Sequence, residues 1–273
     1  MFLKLTNMKK TLIAIAALAL GFMVSCSTEK TAELKCSTTL NGEEDSTFTF
    51  PEKDGYIYIF NGKDLAGWRG YGLDHVTERW VVEDSCLKFD TNVEGKGGDI
   101  IFAHKFKNFE MQLEWKISEG GNSGIFYLAQ EVRNEEGNLE PIFISAPECQ
   151  VLDNENHPDA KMGKDGNRKS SSLYDMIPAT PQNAKPFGEW NAIKITVKDG
   201  VVTHYQNGEQ VVQYKLWTPE WTAMLQDSKF SEEAWPAAFK LLNNCGGENH
   251  EGFIGFQDHG NDVWFRNIRV KEL

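Results

Sequence analysis

Glu148 and Gln150 stand two residues apart in the run Glu148-Cys149-Gln150-Val151-Leu152, with Asp153 and His157 in the stretch that follows. Side chains at i and i+2 of a strand share a face, so an extended run here sets a carboxyl beside an amide. A carboxyl moves protons, an imidazole titrates near neutrality, and an amide orients a hydroxyl or carbonyl, which is the equipment of general acid–base chemistry. Glu148 is the first catalytic candidate, as acid or base, with His157 and Asp153 beside it. A second polar cluster, Gln257-Asp258-His259-Gly260, ends an apolar run. It offers Asp258 and His259 to a polar ligand, or forms a tight turn closed by Gly260. Glu114, Asn122 and Arg266 are further binding candidates, with Arg266 read either as a carbonyl-polarising cation or as one half of an outer-face ion pair.

The elements that must position these residues are strands. Phe109, Met111, Leu113, Trp115 and Ile117 alternate with Glu110, Gln112, Glu114 and Lys116, a period of two that gives one apolar and one polar face. From Trp190 the chain alternates again and meets Asp199-Gly200 and then Asn207-Gly208, the turn dipeptides of two successive hairpins. Further strands are expected at 56–60, 80–83, 87–89, 99–103, 124–128, 148–152, 253–257 and 263–270. Thr218-Pro219-Glu220 starts a short helix, and Ser231 a second one interrupted by Pro236. About ten strands with few helices predict an all-β jelly-roll sandwich of two antiparallel sheets.

The 273 residues carry a net charge of -12, which argues against nucleic acid or an anionic membrane surface as a partner. Residues 1–25 have basic Lys9 and Lys10 followed by an apolar run too short to span a bilayer, and Cys26 comes next. This resembles a bacterial lipoprotein signal, so Cys26 is the expected lipidation site. The protein is then exported and lipid-anchored in the periplasm or on the outer membrane surface, with the anchor its one membrane contact. Residues 26–52, rich in Thr, Ser, Glu and Lys, read as a tether with a first strand near Phe48 and Phe50, and residues 53–273 as the domain. Cys36, Cys86, Cys149 and Cys245 match no zinc spacing and read as buried thiols. Trp68, Trp80, Trp190 and Trp264 are either core residues or rings on which a ligand stacks.

Several segments together carry a family resemblance. They are Phe60-Asn61-Gly62-Lys63-Asp64-Leu65-Ala66-Gly67-Trp68, Glu114-Trp115-Lys116-Ile117, Gly121-Asn122-Ser123-Gly124-Ile125-Phe126-Tyr127, Pro147-Glu148-Cys149-Gln150-Val151-Leu152-Asp153-Asn154, Gly188-Glu189-Trp190-Asn191 and the stretch from Gly255 to Ile268. In this order the chain resembles the 3-keto-disaccharide hydrolases, also described as 3-keto-glucoside 1,2-lyases and 3-keto-2-hydroxy-glucal hydratases. The resemblance implies a concanavalin-like jelly roll and a substrate glycoside oxidised at C3. It implies removal of the C2 proton, loss of the C1 substituent and hydration of the resulting keto-glucal, with Glu148, His157 and Asp153 as catalytic candidates. Glu114, Asn122, Gln150, Asp258, His259 and Arg266 would bind the sugar. No cofactor is required on this reading, although Asp, Asn and carbonyl oxygens would suffice for calcium or another divalent cation. Without a dinucleotide fingerprint the ketone must come from a separate sugar 3-oxidoreductase. Leu128 and Thr203 stand where the family pattern leads one to expect a basic residue and a Glu. A non-catalytic carbohydrate-binding lipoprotein, or a two-carboxylate glycosidase using Glu148 and Asp153, are the alternatives.

Overall fold

The computed structural model describes residues 30–38 and 45–273, so the leader and Cys26 lie outside the described residues. In chain order the strands are Lys30–Ser37 (β1), Asp45–Lys53 (β2), Tyr56–Ile57 (β3), Trp68–Gly70 (β4), Trp80–Glu83 (β5), Cys86–Phe89 (β6), Ile100–Phe106 (β7) and Phe109–Ile117 (β8). Asn122–Ala129 (β9), Glu148–Leu152 (β10), Asn191–Lys198 (β11), Val201–Gln206 (β12) and Glu209–Lys215 (β13) follow. Helices Pro219–Gln226 (α1) and Pro236–Asn243 (α2) precede Gly252–Phe256 (β14) and Val263–Glu272 (β15). Two antiparallel sheets result: β1-β2-β3-β15-β8-β11-β12-β13, with β6 on β15 and β5 on β6, and a smaller one ordered β10-β9-β14-β7-β4. This is the expected all-β sandwich.

Local sequence explains most of it. Along β8 buried and half-buried residues alternate without a break, as the period of two requires. Asp199 and Gly200, and Asn207 and Gly208, all have positive φ, which gives the two hairpins the turn twist that right-handed strands favour. Thr218 caps α1 by accepting the Trp221 N–H, while α2 begins at Pro236, so that proline starts the second helix where an interruption was expected. The four domain cysteines are free and buried. Trp68 and Trp80 belong to the core.

The stretch read as a tether departs from expectation. Residues 30–37 and 45–53 pair as a hairpin and join the larger sheet through β3. Leu34, Cys36 and Phe50 point into the core, where Phe50 meets Phe102 edge-on at 5.4 Å. Phe50→Ala should therefore cost about 3–5 kcal/mol in chemical denaturation, as for other buried aromatics. A loss under about 1 kcal/mol would mean that the hairpin is dispensable to the domain.

Candidate active site

The site forms on the face of the small sheet that points away from the large one. In the β10–β9 register Glu148 opposes Phe126, Gln150 opposes Gly124 and Leu152 opposes Asn122, and opposed residues share a face. Cys149 and Val151 take the other face and fill the core. Gly124 is the enabling position: a Cβ there would lie 2.3 Å from Glu148 Oε1, so the carboxyl rests where any other residue would put its side chain. A cavity of about 220 Å³ opens above it. Asn122, Glu148, Gln150 and Gln257 line its sheet side, and Asp99, Phe143, Tyr174, Lys229, Asp258 and His259 its walls.

Glu148 is 7% exposed, and none of the described residues donates a hydrogen bond to its carboxyl. Burial pushes its pKa well above the ordinary glutamate value, and the nearby Lys229 cation pulls it part of the way back. Lys229 is held by its own neighbours. Asp159 accepts from Tyr174 Oη at 2.9 Å and from Arg168 Nη1 at 2.9 Å, Arg168 Nε donates to Asp175 at 2.5 Å, and Asp175 Oδ2 accepts the Lys229 N–H at 2.7 Å. The Tyr174 N–H in turn donates to the Glu148 carbonyl at 3.1 Å. The Lys229 Nζ lies 4.2 Å from the Tyr174 ring centroid, with burial lowering its pKa and Glu148 opposing that shift.

Asp99 faces the same space from the start of β7. One of its oxygens accepts the Asp258 N–H at 2.9 Å, and burial, aided by the Asp258 charge, lifts its pKa to about 7. Asp258 has both oxygens occupied, one by the Gly98 N–H at 2.7 Å and one by the Gly260 N–H at 2.8 Å. Its work is to shape the loop that presents Asp99. Asn122 Oδ1 is buried without a hydrogen-bond partner among the described residues, so the site asks for a donor there.

These features invite comparison with known proteins. Residues 55–271 match the model of the 3-keto-alpha-glucoside-1,2-lyase-like domain. The chain belongs to the 3-keto-alpha-glucoside-1,2-lyase-like family. It is 60% identical to the 3-keto-disaccharide hydrolase of Bacteroides thetaiotaomicron, over 97% of this chain and 100% of that one. A candidate glycosyl hydrolase of Parabacteroides distasonis ATCC 8503, known from a crystal structure, is 30% identical, with 81% of this chain and 94% of that one aligned at a TM-score of 0.65. A second such protein from the same organism, at 24% identity and a TM-score of 0.60 over 80% and 99% of the two chains, shares the fold. This family member is thus an enzyme.

Of the residues singled out in the sequence, Glu148, Gln150, Asn122, Asp258 and His259 meet at the cavity. His157 stands behind, its ring edge-on to His259 with centroids 6.1 Å apart, and its Nδ1 accepts the Asp159 N–H at 3.1 Å. Burial and His259 lower its pKa. Asp153 does not line the cavity. Its oxygens accept from the Gly120, Glu155 and Asn156 N–H groups and from the Asn156 side chain. Burial works against ionisation, yet these donors hold its pKa below the ordinary value, so Asp153 anchors the loop after β10 and is not free to be a second carboxylate.

Glu114 and Arg266 also lie elsewhere. They oppose each other on β8 and β15 of the large sheet, where Arg266 Nε donates to Glu114 at 2.6 Å and stacks 3.9 Å from the Trp190 ring centroid. A depression of about 450 Å³ borders Glu114, on the opposite sheet from Glu148, and there Arg269 donates to Gln112 and Tyr58. Leu128 and Thr203 are buried away from the cavity; Thr203 Oγ1 accepts from Gln213. Among the described residues, no group of three or more His, Cys, Asp or Glu side chains is placed to hold a metal ion. Asp99, Tyr174 and Lys229 were not singled out in the sequence. The cue for Asp99 was an acid between Gly97-Gly98 and an apolar strand; Lys229 had none.

Proposed function

We propose that this enzyme cleaves 3-keto glycosides by elimination across C1–C2 followed by hydration of the keto-glucal, for net hydrolysis. The observation that carries the proposal is the Glu148 carboxyl, buried with no hydrogen-bond donor from the described residues, facing a cavity of one-sugar size beside the Lys229 cation. A ketone at C3 acidifies the C2 hydrogen, and a poorly solvated carboxylate is a stronger base than one in water. Lys229 meets the negative charge that develops on the C3 oxygen. Gln150, Gln257 and Asn122 offer amide groups to sugar hydroxyls. The name of the Bacteroides thetaiotaomicron relative supports the substrate class. The ketone itself would come from a separate sugar 3-oxidoreductase.

The test is a matched pair of substrates, methyl 3-keto-glucoside and methyl glucoside. The keto compound should be turned over, while the parent, whose C2 hydrogen no side-chain carboxylate can remove, should fall to background. Equal turnover of the two would overturn the elimination route.

A further inference from the structure

We propose that Asp99 is a second catalytic residue, which protonates the departing C1 oxygen while Glu148 removes the C2 hydrogen. The inference rests on the elimination route above. Where the C1 oxygen and the C2 hydrogen lie on opposite faces of the ring, one carboxyl cannot serve both, and a donor is needed across the ring from the base.

The sheet provides that separation. Glu148 stands on β10 and Asp99 at the start of β7, with β9 and β14 between them in the sheet order. Both line the same cavity. Gln150 and Gln257 line the cavity with them, while Gly124 makes room for the Glu148 carboxyl itself. Lys229 lies on the Glu148 side, so a ring with its C3 oxygen towards Lys229 sets C2 near Glu148 and carries C1 on towards Asp99 and the exposed His259.

The hydrogen bonding of Asp99 fits the role. One oxygen is fixed by the Asp258 N–H, and Asp258 is itself clamped by the Gly98 and Gly260 N–H groups, while no described residue occupies the second oxygen. Burial lifts both carboxyls, Asp99 to about 7 and Glu148 to about 8, so the pair shares a proton near neutrality, and position across the ring, not the order of the two values, assigns that proton to Asp99. The charge of Asp99 also raises the Glu148 pKa, so the two carboxyls act within one electrostatic site.

The proton balance closes over one turnover. Glu148 carboxylate takes the C2 proton, and the C–H electron pair becomes the C1=C2 double bond. The C1–O bond breaks with its pair going to oxygen, which receives the Asp99 proton. In hydration Asp99 carboxylate takes a proton from the water that bonds to C1, and Glu148 returns its proton to C2. Both residues regain their starting states.

Asp99→Asn keeps an oxygen for the Asp258 N–H but has no acidic proton. It should be assayed on methyl 3-keto-α-glucoside, whose leaving alkoxide needs a proton, and on 4-nitrophenyl 3-keto-α-glucoside, whose phenolate does not. The expected result is a loss of about 10² to 10⁴-fold on the methyl glycoside with near-normal elimination of the nitrophenyl one. Deuterium from solvent should still enter C2 of the methyl glycoside. Both rates come from one protein sample, so their ratio is independent of the folded fraction, and Asp99→Ser should show the same ratio if Asn disturbs the loop. Equal losses on both glycosides, or no loss on either, would overturn the role of Asp99 alone. Wild-type cleavage of unoxidised methyl α-glucoside at the rate of its 3-keto form would overturn the route and this role together.

Discussion

Glu148→Gln is expected to lose about 10² to 10⁴-fold in kcat on a 3-keto glucoside, to stop deuterium entering C2, and yet to melt at a higher temperature than the wild type at neutral pH. Activity and stability move in opposite directions for one reason. The Glu148 carboxyl is buried with no donor from the described residues, and its pKa in the fold is raised from 4.5, despite Lys229. Above about pH 4.5 the unfolded chain releases this proton freely while the fold resists doing so, so the residue destabilises the fold increasingly as pH rises towards its folded pKa. Glutamine has nearly the same shape, carries no charge and removes that cost. The gain in Tm over the wild type should shrink as pH falls below 4.5, where both states are protonated. A variant that turns over the 3-keto substrate at near-normal rates would end the assignment of Glu148 as base. A variant that is less stable at neutral pH would show that the carboxylate is satisfied in the fold.

The parts of this protein legible from sequence are those fixed by short-range rules. β8 and β11 declare themselves through alternation, and the β11–β13 meander through Asp199-Gly200 and Asn207-Gly208. Glu148 and Gln150 were legible for the same reason, since two residues of strand suffice to put them on one face. The β1–β2 hairpin was obscure because only Leu34, Cys36 and Phe50 among its residues are buried, too sparse a pattern to stand out from polar neighbours. Asp99 and Lys229 come to the cavity by long-range pairing, the first through β7 against β14 and the second through the Asp175 carboxylate. No spacing along the chain encodes either. Alternation on β8 correctly put Glu114 opposite the core face, but it cannot tell which of two sheets borders the site, and Glu114 lies on the other one.

Lys229 should carry the second large effect. Lys229→Met retains the aliphatic stem against Tyr174 and removes the cation, and loss of a group that stabilises a developing oxyanion typically costs about 10² to 10³-fold in kcat. The same change must also move the pH profile, because the Lys229 charge holds the Glu148 pKa down. Without it that pKa rises further, and a base works only when ionised. The acidic limb of kcat/KM should therefore shift to higher pH in Lys229→Met, which separates an electrostatic role from a structural one: a loosened wall would lower the rate at every pH and leave the limb in place. The Asp159–Arg168–Asp175 clamp gives a graded comparison, since Asp175 accepts the Lys229 backbone N–H and its charge only favours the ammonium from a distance. Asp175→Asn keeps the cation, so it should weaken turnover while moving the limb less than Lys229→Met does. A Lys229→Met enzyme with the wild-type rate and limb would remove the cation from the mechanism and leave the C3 oxygen to the amides of Gln150, Gln257 and Asn122.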